Sequence, residues 1–215
     1  MRPARLLPGD CLVHHANPKT LVDHLVQGPL TWGEWTGAPK EDLSACHVEV
    51  VLDETRIAKM NPKVSDTYLL ADAPWDNIVV YRPDFAILAA MAVPRFPGED
   101  PRWVDAFKAD CLAHLGEPYG WGTILRFTGA GLLARIWPAA GRWLLSKQNT
   151  AVSADGHGAV CSVWATMRVE HTTRQVYTLP TFDLFAGTGI GDDAERPADF
   201  SRSVYLRLVK EDGTV

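Results

Sequence analysis

The sequence predicts one domain of mixed α and β elements, and two kinds of periodicity predict it. The run Cys46-His47-Val48-Glu49-Val50-Val51-Leu52 alternates like a strand, whereas residues 101–115 hold Trp103, Val104, Phe107, Cys111, Leu112 and Leu115 on one helical face. The third observation is length: 215 residues suffice for a single domain, taken as 1–215, with a core of its own.

The elements follow in order. Leu7-Pro8-Gly9-Asp10 is a turn into a short first strand, Cys11-Leu12-Val13-His14. Between 18 and 30, Leu21, Val22, Leu25 and Val26 keep helical spacing; Pro18 suits the first turn and Gly28-Pro29 ends it. A polar loop carrying Trp32 and Trp35 runs on to about Ser44. Strands at 46–52 and 56–60 are joined by the tight turn Asp53-Glu54-Thr55, and another strand covers Asn77 to Arg82, closed by Pro83. After the 101–115 helix, Gly116-Glu117-Pro118-Tyr119-Gly120-Trp121-Gly122 breaks the pattern. Residues 123–145 are strongly apolar, but Arg126, Arg135, Pro138 and Arg142 interrupt them. They read as a helical hairpin that packs on the core or caps a cleft, not as a membrane span. Cys161 opens a last helix, and Ser203 to Val209 form a final strand.

Charge narrows the function classes. A net charge of -5 gives no electrostatic reason to expect nucleic acid or an anionic membrane surface as a partner. The four cysteines, Cys11, Cys46, Cys111 and Cys161, are scattered without a CxxC pair, so neither a structural zinc site nor a thioredoxin-like pair is suggested. Cys11, His14, His15 and His24 lack ligand spacing, and no metal or other cofactor is expected. Free thiols in a reducing compartment are the expectation. The basic N-terminus has only Leu6-Leu7 before Pro8, too short for a secretory apolar region, so a cytoplasmic location is expected. Gly187-Thr188-Gly189-Ile190-Gly191 reads as a loop, not a phosphate cradle.

The chemistry concentrates at Cys161. A glycine-bearing loop, Gly156-His157-Gly158, ends at a cysteine that begins a helix, where the backbone dipole favours the thiolate. His47, on its strand, is the candidate general base and acid. Its orienting partner follows from strand pairing. With Asp53, Glu54 and Thr55 as the turn, Leu52 pairs with Arg56, which sets His47 opposite Asn61 and Glu49 opposite Lys59. Asn61 then completes Cys-His-Asn while Lys59 neutralises Glu49. A two-residue turn sets Met60 opposite His47 and leaves Glu49 as the fallback.

Four segments in order, Pro8 to Val13, Cys46 to Val51, Gly116 to Trp121 and Val160 to Trp164, resemble the circularly permuted branch of the NlpC-type papain-like hydrolases, the YiiX/YaeF-like amidases and peptidases. In that branch the histidine precedes the cysteine, as here. The resemblance implies an α+β, papain-like (permuted NlpC-type) fold, with an antiparallel sheet or barrel packed against helices and the apolar helical insertion at about 123–145. It also implies thiol-dependent hydrolysis of an amide bond in a peptide-like or cell-wall-derived substrate. Cys161 would be the nucleophile, and Tyr119 would join the Cys161 backbone N–H in an oxyanion hole. Trp121 would wall the cleft, and Glu49 is a further substrate-side candidate. Val163 stands in place of the family's glutamate after Cys-Ser, and Glu49 in place of its glycine after His-Val. Two alternatives stay open: acyl transfer or acyl-thioester hydrolysis, as in relatives resembling lecithin:retinol acyltransferase, and a catalytically inactive binding module.

Overall fold

The structure is a computed structural model that describes residues 2–15, 45–61, 63–120, 137, 160–188 and 197–215. Its strands are β1 (Cys11–His15), β2 (Ala45–Val51), β3 (Arg56–Met60), β4 (Ser65–Leu69), β5 (Ile78–Pro83) and β6 (Leu206–Leu208); its helices are α1 (Pro101–Ala113) and α2 (Cys161–Tyr177). The strands form one sheet in the order β4-β3-β2-β1-β5-β6, every pairing antiparallel. The fold class is therefore α+β. Among the described residues no helix is long and apolar enough to cross a membrane. The expected helix at 18–30 and, apart from Trp137, the expected hairpin at 123–145 lie outside the described residues.

Strand alternation builds two apolar layers. Cys11, Val13, Val48, Val50, Ala58 and Met60 face a core shared with Trp103 and Phe107 of α1 and Trp164 and Val169 of α2. Leu12, Val51, Ile57 and Val80 face a second cluster that includes Leu70 and Val209. Trp103 stacks on Phe107 at 4.7 Å and its indole N–H donates to Thr173 Oγ1 at 3.1 Å, which locks α1 onto α2.

The 8–10 turn anchors β1. Gly9 has φ +86°, and a Cβ there would stand 2.5 Å from Trp103 Cη2, so only glycine fits. Asp10, fully buried, accepts from Arg82 Nε (2.9 Å), Arg82 Nη2 (2.8 Å) and the Leu7 N–H (2.9 Å). Arg82 also donates to the carbonyls of Gly213 and Arg5, tying both chain ends to β5.

Two elements differ from expectation. β4, Ser-Asp-Thr-Tyr-Leu, is an edge strand with a polar, half-exposed surface, and it lacks the apolar alternation by which its neighbours announce themselves. The last strand is shorter than 203–209: residues 197–202 form a 3-10 helix and the Ser203 hydroxyl donates to the Leu184 carbonyl, so pairing with β5 begins only at Leu206.

Candidate functional site

The site is built where β2 outruns β3. The Leu52 N–H bonds to the Arg56 carbonyl, as the three-residue turn requires, and Val51 bonds to Asp10 on the other side. Even-numbered residues of β2 therefore turn their backbone groups toward β3. The β2–β3 ladder extends only as far as Glu49–Lys59, because the chain turns away after Met60. The Val48 N–H, released from the ladder, bonds to the sulfur of Cys161 instead.

Cys161 is the first residue of α2. Val160, at the cap position, offers no side-chain bond to the helix end. The Ser162 N–H donates to the sulfur, which takes the place of an anion at the helix terminus. His47 and the Tyr119 hydroxyl also hydrogen-bond to Cys161. Burial disfavours a charged sulfur, but the adjacent His47 imidazolium and these donors outweigh it and hold the thiol below the usual cysteine range. At His47 burial likewise opposes the charged ring. The Cys161 thiolate, with help from Glu49, overcomes that and pushes the imidazole up to about 10. Tyr119 is pushed up by burial and by the Cys161 charge, so it stays protonated and able to donate.

Glu49 is met by two imidazoles and a phenol. Its Oε1 lies 3.4 Å from His47 Nε2 and its Oε2 lies 2.9 Å from His14 Nε2. The Tyr68 hydroxyl donates to the same Oε2. Glu49 is 3% exposed, and a carboxylate so buried stays ionised only with partners. Burial pushes its pKa up, but the bonds and charges of His14 and His47 prevail and hold it well below the usual carboxylate range.

The segment bearing Tyr119 is pinned from two sides. Trp164 Nε1 donates to Glu117 Oε2 at 3.0 Å, and Ser65 Oγ accepts from the Glu117 N–H at 3.0 Å. Val64 forms a bridge with Pro118. The hydroxyl is thus held at the sulfur by its own loop, by α2 and by the edge of β4.

The structure brings Cys161, His47, Glu49 and Tyr119 together. Asn61 is occupied elsewhere: its Oδ1 accepts from the N–H groups of Lys63 (3.0 Å) and Val64 (3.2 Å), which is the local turn bonding asparagine favours. Lys59 stands across from Glu49 in register but swings its ammonium 4.0 Å over the Tyr68 ring, so the charge of Glu49 is met by two imidazoles and a phenol. Trp121 lies outside the described residues, and Trp164 is core. His14 and Tyr68 were not singled out as site residues from the sequence. The signal for His14 is the β1–β2 register, which sets it directly opposite His47. Nothing in the polar run of β4 marks Tyr68.

All four cysteines are free. Burial pushes Cys11 and Cys111 up, so both persist as thiols, in contrast to Cys161. Among the described residues, no group of three or more His, Cys, Asp or Glu is arranged to hold a metal ion. Comparison with protein families, with characterised proteins and with solved structures finds no match to this chain.

Proposed function

We propose that this chain is a thiol-dependent hydrolase of the permuted papain-like kind, cleaving an amide bond in a peptide-like or cell-wall-derived substrate. The observation that carries the reading is the hydrogen-bonded Cys161–His47 pair at a helix N-terminus, with the thiol lowered and the imidazole raised. The Cys161 thiolate attacks the carbonyl carbon and forms a C–S bond. The resulting oxyanion takes hydrogen bonds from the Cys161 backbone N–H and the Tyr119 hydroxyl. His47 gives its proton to the leaving nitrogen as the C–N bond breaks. It then takes a proton from water, which attacks the thioester, releases a carboxylic acid and restores the thiolate. Glu49, not Asn61, orients and charges His47 in this scheme. Four free thiols suit a reducing, cytoplasmic setting for such chemistry.

The test is alkylation by iodoacetamide at neutral pH, with the modified residue located by mass spectrometry. The reading requires Cys161 to react far faster than the other three cysteines and His47→Ala to abolish that selectivity. Equal, slow labelling of all four cysteines would instead mark an inert binding module.

A further inference from the structure

The carboxylate of Glu49 faces two histidines, and the scheme above uses only one. His14 projects from β1 at the position paired with His47, its ring centroid 5.4 Å from the His47 ring, and its Nε2 makes the shorter contact to Glu49, 2.9 Å against 3.4 Å. Its side chain is 14% exposed, so this bond is largely shielded from water. The Tyr68 hydroxyl shares Oε2 with His14. Two donors on one oxygen fix the rotation of the carboxyl group about its last bond, and that rotation is what aims Oε1 at His47.

We infer that His14 is a positioning residue, which clamps Glu49 so that its free oxygen is delivered to His47. This rests on the thiol-hydrolase reading and extends the machinery of the same site by one strand. A clamp acting through Glu49 touches neither the sulfur nor the substrate. Around His14 the charged and titratable groups among the described residues include Glu49, His47 and Cys46 of β2, the last donating its thiol to the His14 carbonyl at 3.5 Å, Tyr68 of β4 and, beyond the Tyr68 ring, Lys59 of β3; β5 offers Ile78 at the paired position. Of these groups, Glu49 is the acceptor that stands within hydrogen-bonding distance of the His14 ring. A competing picture gives the opposite sign: if His14 withdrew Glu49 from His47, removing it would strengthen the Cys161–His47 pair.

The experiment is the pH profile of Cys161 alkylation by iodoacetamide, from pH 5 to 9, in the full chain. His14→Phe keeps the ring volume but removes the donor. His14→Asn keeps polarity but stops short of Glu49. His14→Gln carries an amide N–H to about the distance of the imidazole Nε2. The clamp predicts that the acid limb moves upward by about one pH unit, and the rate measured on that limb falls about tenfold, in the Phe and Asn variants, as expected for loss of one charge-assisted hydrogen bond. The Gln variant should recover to within about threefold. Should the Phe ring prevent folding, the Asn and Gln pair decides the matter alone. An Asn variant as reactive as wild type, or more so, overturns the clamp. If wild-type Cys161 shows no selective labelling at all, it is the hydrolase reading that fails, so the two failures are distinct.

Discussion

Replacing Glu49 by glutamine keeps shape and removes one charge, and the structure sets the size of the effect. A unit charge 3.4 Å from His47 Nε2 interacts with about 5 kcal/mol at an effective dielectric near 20. The His47 side chain is 26% exposed and Glu49 divides its charge between two imidazoles, so roughly a third of this survives, about 1.5 kcal/mol or one pH unit. Geometry adds to the loss. The Tyr68 hydroxyl needs an acceptor, which holds the amide oxygen on its side and turns the amide N–H toward His47 Nε2. A donor there favours a ring whose Nε2 is unprotonated, and the thiolate loses its imidazolium. In Glu49→Gln the Cys161 thiol should therefore rise, and the acid limb of alkylation should move up by at least about one pH unit, so that the rate on that limb drops roughly ten- to thirtyfold while the rate above pH 9 changes little. The assay is the same iodoacetamide profile, read by mass spectrometry, with circular dichroism confirming the fold. A folded Glu49→Gln protein with an unshifted acid limb would refute the coupling of Glu49 to the sulfur through His47.

Further consequences can be measured independently. Because Glu49 has a folded-state pKa below its unfolded value, its ionised form contributes stability above about pH 4.3 and loses it as pH falls; the urea-unfolding gap between wild type and Glu49→Gln should narrow from pH 6 to pH 3. Tyr119→Phe removes one donor from the sulfur but leaves His47 in place, so the rate on the acid limb of alkylation should fall about three- to tenfold, less than in His47→Ala. Asp10→Ala strands the buried Arg82 and should cost about 3–5 kcal/mol, part of which Asp10→Ala with Arg82→Met recovers in thermal melts. Gly9→Ala combines a left-handed φ with a 2.5 Å clash on Trp103 and should cost about 3 kcal/mol, roughly 6–12 °C in Tm.

How much of this arrangement could be read from residues alone follows the range of the interactions involved. The hairpin register came from counting a turn, since Asp53 to Thr55 leaves Leu52 opposite Arg56 and hence Glu49 opposite Lys59. The same count aligned Asn61 with His47, and there it misled. Pairing position says where a residue would stand if the strand continued, but asparagine before a proline spends its side chain on its own turn, and β3 stops at Met60. That early stop is what frees the Val48 N–H for Cys161, so the feature that removes Asn61 from His47 also supplies a donor to the sulfur. Lys59 failed as a partner for Glu49 for a different reason: a long flexible amine reaches the surface across an aromatic face more cheaply than it stays desolvated beside a buried carboxylate. A buried acid on a strand still needs donors. With lysine withdrawn they come from the neighbouring strand β1 and from β4 at the sheet's edge, as His14 and Tyr68, neither visible to a two-strand argument. Glu49 is therefore the residue around which β1, β2 and β4 converge. A substitution to glycine at 49 would leave His14 and Tyr68 without their common acceptor and His47 without its charge, which is why this position, more than Asn61, should control the reactivity of the thiol.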